Sequence, residues 1–302
     1  MTLSSRLNSE LQALEAGQVI RLRNVVCPYC GCALDNKITT KEHVVGRRFV
    51  PKGKLHKSWN LILNACRACN NKKADLENDI SAISLFVRSS ATTPQFDSGV
   101  ISESVRKSRN SISRKTKKPV QDSFEKAEFK FDLNSQTSLN FNFIAPPQVD
   151  ENRAFELARL QLAGFFYWIT YQETQQRGYW WTGEFLPMMM VRSPDYGNKI
   201  MVDFSLTVLS WEPRVLAHTD EGFFSVCIRR HPQAECWSWA LEWNYTMRLI
   251  GFLGDRETAQ KIADTFGPLK MENQNLGNGD YVRFRQEVAL DQKDDKLFEK
   301  IE

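Results

Sequence analysis

Apolar and polar positions change rhythm several times along this chain, and each rhythm predicts an element. Residues 76–88, LENDISAISLFVR, set Leu76, Ile80, Ile83 and Phe86 at roughly helical spacing, which predicts a helix with one apolar face. The stretches AEFKFDL and SLNFNFI alternate on either side of NSQT, the pattern of a β-hairpin. After the break APPQVD, a helix is predicted from about Glu151 to Tyr171; its second half is apolar nearly all round, which predicts burial. Strand-like runs follow in KIMVDFSLTVLSW, GFFSVCIRR, CWSWALEW and TMRLIGFLG, and ETAQKIADTF predicts a last helix. The first residues, MTLSSRLNSELQALEAGQVI, read as a short amphipathic helix with Ser4 or Ser5 as its cap. Together these elements predict an α+β chain.

Length and charge divide that chain. At 302 residues, 42% apolar and 25% charged, it has the composition of a globular protein with room for two domains. Residues 1–120 hold more than two Lys or Arg for every Asp or Glu, whereas the remainder is acidic on balance. The N-terminal part therefore carries the electrostatic footprint of a polyanion binder. The predicted division is a cysteine-bearing module over 1–88, a Ser-, Lys- and Arg-rich linker or arm over 89–123, and an α+β domain of unknown binding role over 124–302. The linker, with RKSRNSISRKTKKP as its densest basic run, is expected to be disordered without a partner. The start lacks the apolar core of a signal peptide, and no run is long enough to span a bilayer, so a cytoplasmic location is expected. In that compartment seven cysteines read as thiols or metal ligands.

Cys27 and Cys30 are two residues apart, as are Cys66 and Cys69, and such pairs form knuckles that present thiolates to one tetrahedral zinc. Cys32 is the alternative to Cys30, which the spacing favours. Cys227 and Cys236 lie in apolar, strand-like surroundings and read as core. The long span between the knuckles holds Glu42, His43, Arg47, Arg48 and Asn60, and it is followed by Asn70 and Lys73. An imidazole that titrates near neutrality suits His43 to act as a general base.

The ordered set CPYC, EHV, WNLILNACRACNNKKAD resembles the HNH endonuclease module over residues 20–80. The resemblance implies a zinc-stapled ββα-metal unit: a hairpin carrying His43, then a helix carrying Asn70. It implies that Glu42 and Asn70 hold a catalytic Mg²⁺ or Mn²⁺, since hard ions want oxygen ligands. It further implies that Asn60 ties down the hairpin loop, and that Lys73 and Arg47, with Arg48 as alternate, contact phosphates. The common Pro and paired Gly of the family's loop are replaced by VVGRRFVPKGK, in which His56 reads as exposed loop.

The expected function is thus metal-dependent hydrolysis of DNA, double-stranded by preference, with structural zinc. Two alternatives stand beside it: a zinc-stapled DNA-binding module without catalysis, and an RNA-directed nuclease. The C-terminal half shows no Gly-rich phosphate loop and no catalytic triad. Seven of the chain's eight tryptophans follow residue 160, which suits an aromatic core or a protein interface. A protein partner bound there would make the nuclease an effector, as in a restriction or anti-phage defence system.

Overall fold

The computed structural model describes residues 12–13, 18–51, 60–90, 98–134, 137–219, 222–277 and 280–299. The N-terminal part runs β1 (Gln12–Ala13), β2 (Val19–Arg21), β3 (Thr39–His43), β4 (Asn60–Cys66), α1 (Arg67–Ser90) and α2 (Ser98–Asn110). A hairpin, β5 (Glu125–Asn134) and β6 (Thr137–Ala145), leads to α3 (Glu151–Ile169). Then come β7 (Glu184–Arg192), α4 (Lys199–Leu209), β8 (Glu212–His218), β9 (Phe224–Arg230), β10 (Cys236–Trp243), β11 (Met247–Gly254) and α5 (Arg256–Ala263). A last hairpin pairs β12 (Glu272–Gly277) with β13 (Asp280–Phe284). The fold is α+β, as predicted, and no helix among the described residues is long and apolar enough to cross a membrane.

β10 and β11 are buried at every position, so the sheet that contains them needs cover on both faces. Its order is β1–β8–β9–β10–β11–β7. Because side chains alternate along a strand, Trp237, Trp239, Leu241 and Trp243 face one way, into a core shared with α3. Cys236 and Ala240 face the other, toward Met201, Phe204 and Val208 of α4 and Ala259 of α5. Asp150 caps α3 by accepting from the Arg153 N–H, and Asn198 caps α4 by accepting from the Met201 N–H.

Four departures from the sequence expectation have physical reasons. KIMVDFSLTVLSW forms α4 rather than a strand, since the Asn198 cap starts a helix whose Met201, Phe204 and Val208 fall on one face. α1 begins at Arg67, nine residues before the apolar spacing does, since its first turns are polar and apolar rhythm cannot mark them. The segment read as a linker contains α2, which packs on α1 through a stripe of small residues, Ser104 and Ser108 below Val100. Several of its cations are spent inside the molecule: Arg114 pairs with Asp75, Lys107 with Glu103 and Lys115 with Glu125. Finally, Gln12 and Ala13 form a strand parallel to β8 where a helix was expected; residues 1–11 and 14–17 lie outside the described residues.

The predicted modules also share one core. Val44 and Phe49 belong to the same buried cluster as Phe165, Trp237 and Trp243, and the Phe49 and Trp243 rings lie 5.5 Å apart. Gly164 on α3 sits so close to Val44 that a Cβ there would collide with it. Polar clasps add to this contact: Arg153 bridges Asp75 and Asp79 of α1, and Asn244 donates to Ser84 Oγ at 2.7 Å.

Candidate metal centre and basic sheet face

The first knuckle is a tight turn. Gly31 N–H donates to Cys27 O at 2.9 Å, Cys27 N–H donates to Cys32 O at 2.9 Å, and Gly31 takes φ of 77°, a left-handed value that glycine adopts without strain. That turn folds Cys32 back beside Cys27. Cys66, the last residue of β4, brings its N–H to Cys27 Sγ at 3.5 Å and its own Sγ to 3.7 Å from that of Cys30. The sulfurs of Cys27, Cys30, Cys32 and Cys66 all lie within 4.8 Å of one another, a group that can hold a metal ion. Four thiols around one point suit zinc.

This set corrects the predicted one at a single position. Cys69 was expected as the fourth ligand; the left-handed turn at Gly31 brings Cys32 into the close foursome, and Cys69, in the first turn of α1, stays in hydrogen-bond contact with Cys66 and Cys30. The thiols oppose one another's ionisation. Burial raises the Cys27 pKa. Cys30 is drawn down to about 7: burial resists, but hydrogen bonds from the Cys32 backbone and the neighbouring thiols outweigh it. Its hydrogen bond with Cys30 pushes Cys32 up to about 12. A cation among these sulfurs would replace the protons they compete for. Cys227 and Cys236 are buried in the sheet, in the core environment their surroundings predict.

β3 and β4 pair antiparallel, with Glu42 opposite Leu63 and His43 opposite Ile62, and α1 follows directly from β4. The unit is therefore a hairpin followed by a helix. Alternation turns Glu42 inward with Leu61 and Leu63, against α1. There Lys73 Nζ stands 2.6 Å from Glu42 Oε1, 2.5 Å from Glu77 Oε1 and 2.9 Å from the His43 carbonyl. Tyr29 OH also donates to Glu42 Oε1, at 3.3 Å. Gly46 permits this cluster, since a Cβ there would collide with the Glu77 carboxylate. Burial works against the Lys73 charge, yet the two carboxylates hold its pKa above the ordinary value. Burial raises the Glu42 pKa despite Lys73.

Lys73 is only 1% exposed, so the phosphate contact expected of it is replaced by an internal role: it joins helix to hairpin. Glu42 is 4% exposed and its Oε1 is taken by an ammonium and a phenol. Asn70 turns its amide nitrogen toward Thr40 Oγ1 at 2.9 Å. Arranged in this way, Glu42 and Asn70 do not fit a divalent ion, because a chain cation already stands at the carboxylate. Asn60 is buried at the start of β4, its N–H donating to Gln18 O, and its Oδ1 has no hydrogen-bond partner among the described residues. The loop it was expected to tie down, with His56, spans residues 52–59 and lies outside the described residues.

The opposite face of the same sheet is basic. β2 pairs parallel with β4, which puts Arg21, Ile62 and His43 in one row across three strands, with Lys41 two residues before His43 on the same face. Arg21, Lys41 and Arg47 are exposed, and Arg47 Nε donates to His43 Nε2 at 3.3 Å. Burial, then Arg47, Lys41, Lys73 and Arg21, depress the His43 pKa to about 4, so its imidazole is neutral at neutral pH. Arg48 turns instead toward Ala74 O, at 3.5 Å. Sequence reasoning missed Arg21 and Lys41. Strand alternation around His43 pointed to Lys41, but nothing local pointed to Arg21, which a parallel pairing brings from outside the motif. Comparison of the chain with known protein families, with curated proteins and with solved structures finds no match.

Proposed function

We propose that the N-terminal hairpin–helix unit hydrolyses phosphodiester bonds of nucleic acid, DNA first, with His43 as general base. The observation that carries this reading is a neutral imidazole set among three exposed cations, Arg21, Lys41 and Arg47, on one sheet face. A phosphate would offer Arg47 a charged acceptor better than the imidazole, freeing Nε2. Nε2 would then take a proton from water as its oxygen attacks phosphorus. The bond from phosphorus to the leaving oxygen breaks, that oxygen takes a proton from solvent, and the Arg47 guanidinium offsets the charge that builds on the phosphoryl oxygens. The thiol centre would hold zinc as a staple between the Cys27–Cys32 turn and the junction of β4 with α1. No step is assigned to a divalent ion, given Lys73 at Glu42.

Cleavage of supercoiled plasmid by the whole chain, with and without added Mg²⁺ or Mn²⁺, tests the reading. Nicked or linear product is expected, and His43→Ala should slow its formation by about 10²- to 10⁴-fold. Full activity in His43→Ala would remove the assignment. A strict requirement for the added ion would mean that Lys73 yields Glu42 to it in the working state. The second reading, a zinc-stapled nucleic-acid-binding module without catalysis, is favoured by the closed Glu42–Lys73–Glu77 cluster. It predicts binding to the same DNA with no cleavage under any ion.

A further inference from the structure

His43 and Arg47 account for one phosphate, but the basic face extends beyond them. Arg21 stands two strands away from His43, about 10 Å between backbones at the usual spacing, with Ile62 between them. Lys41 lies two residues along β3, about 7 Å away. Ile62 is only 8% exposed, so the room left for a ligand on this face lies at the cations on either side of it. Arg21 and Lys41 are exposed, and no ion pair among the described residues engages either of them, in contrast to Arg114, Lys107 and Lys115 of the basic run. The run that looked most like a nucleic-acid arm has Arg106, Lys107, Arg114 and Lys115 paired internally, while Arg109, Lys117 and Lys118 are exposed; the exposed cations beside His43 are those on the sheet.

We propose that Arg21 and Lys41 hold the phosphates that neighbour the scissile one, so that a polynucleotide strand comes along β3 past Lys41 to His43 and then crosses β4 to Arg21 on β2. They are positioning residues, acting on the register of the strand and not on the reacting atoms. The inference rests on the nuclease reading for its reaction, and it narrows the substrate to a chain of at least two or three phosphates, in preference to a small phosphodiester. Contacts of this kind fix register and orientation without reading sequence.

The test compares two substrates on the full chain, a fluorescent duplex oligonucleotide and bis(p-nitrophenyl) phosphate. Arg21→Ala and Lys41→Ala should each raise KM for the oligonucleotide severalfold, and lower kcat/KM for the small diester by a much smaller factor. Fluorescence anisotropy over a salt series should show the slope of log affinity against log salt flattened by about 0.9 for each lost contact. Unchanged KM and salt slope in both variants would overturn the inference, as would equal losses on the two substrates, which would mark a structural role. Should the wild-type chain cleave neither substrate, the nuclease reading fails by itself. The salt slopes then decide the contacts alone, and absence of duplex binding would overturn them too.

Discussion

Lys73 is the residue whose role changed most between sequence and structure. Its place after CRACN suggested a phosphate contact, yet two signs of burial were in the chain: Glu77 follows one helical turn later, and alternation within NLILNAC puts Glu42 on the apolar side of the sheet. What no local pattern shows is that both carboxylates meet the same ammonium. Lys73→Met would leave them buried with no counter-charge, and should destabilise the chain by about 3–5 kcal/mol in denaturant unfolding. Lys41→Ala, on the exposed face, should stay within about 0.5 kcal/mol of the parent. For His43 the folded pKa lies below the unfolded one, so its contribution to stability is present above the ordinary histidine range and is lost as pH falls toward about 4. The same group should set the acidic limb of kcat/KM near pH 4, and that of kcat higher, since a bound phosphate offsets Arg47 and Lys41. Identical limbs in the two profiles would remove phosphate from the vicinity of the imidazole.

Among the elements, those with a strong period were legible and those governed by caps or small residues were not. The buried helix α3, the hairpin of β5 and β6, and the strands β9 to β11 fall where their rhythm puts them. α4 was mistaken for a strand because its apolar residues are dense enough to satisfy either period, and only the Asn198 cap decides. α2 was hidden by composition. Its serines look like linker, but Ser104 and Ser108 are buried, as is Ser111 just beyond its end, whose Oγ reaches Asn78 Oδ1 at 3.3 Å. Two pairs of cysteines were enough to announce a metal centre, whereas the place of Cys32 in it depends on the turn at Gly31. Purified protein should hold about one zinc, Cys66→Ser should lose it together with helical content, and Cys32→Ser should lose more zinc than Cys69→Ser. Elemental analysis of the three variants checks the order, and the reverse ranking would restore Cys69 as the fourth ligand.

For the whole molecule, charge suggested two bodies and packing makes one. Trp180 illustrates the joint: its ring lies against Gly31 of the cysteine turn and its Nε1 donates to Pro28 O at 2.5 Å. Charge is a property of the surface and could not reveal a core that crosses the boundary. Residues 1–122 alone would expose Val44 and Phe49, so that fragment should fail to give a cooperative melt, while the whole chain should unfold in one transition. Removing zinc with a chelator should shift tryptophan emission, since Trp180 borders the site; unchanged emission on complete zinc loss would argue that the two parts are independent. The β1–β8 pairing carries a different consequence, for the order of events on the ribosome. Gln12 must wait for Val215, about two hundred residues behind it, which at common elongation rates is roughly 10–40 s of synthesis. β1 is thus the earliest translated of the described strands and among the last of them to find its neighbour, and throughout that interval the nascent chain carries it without β8.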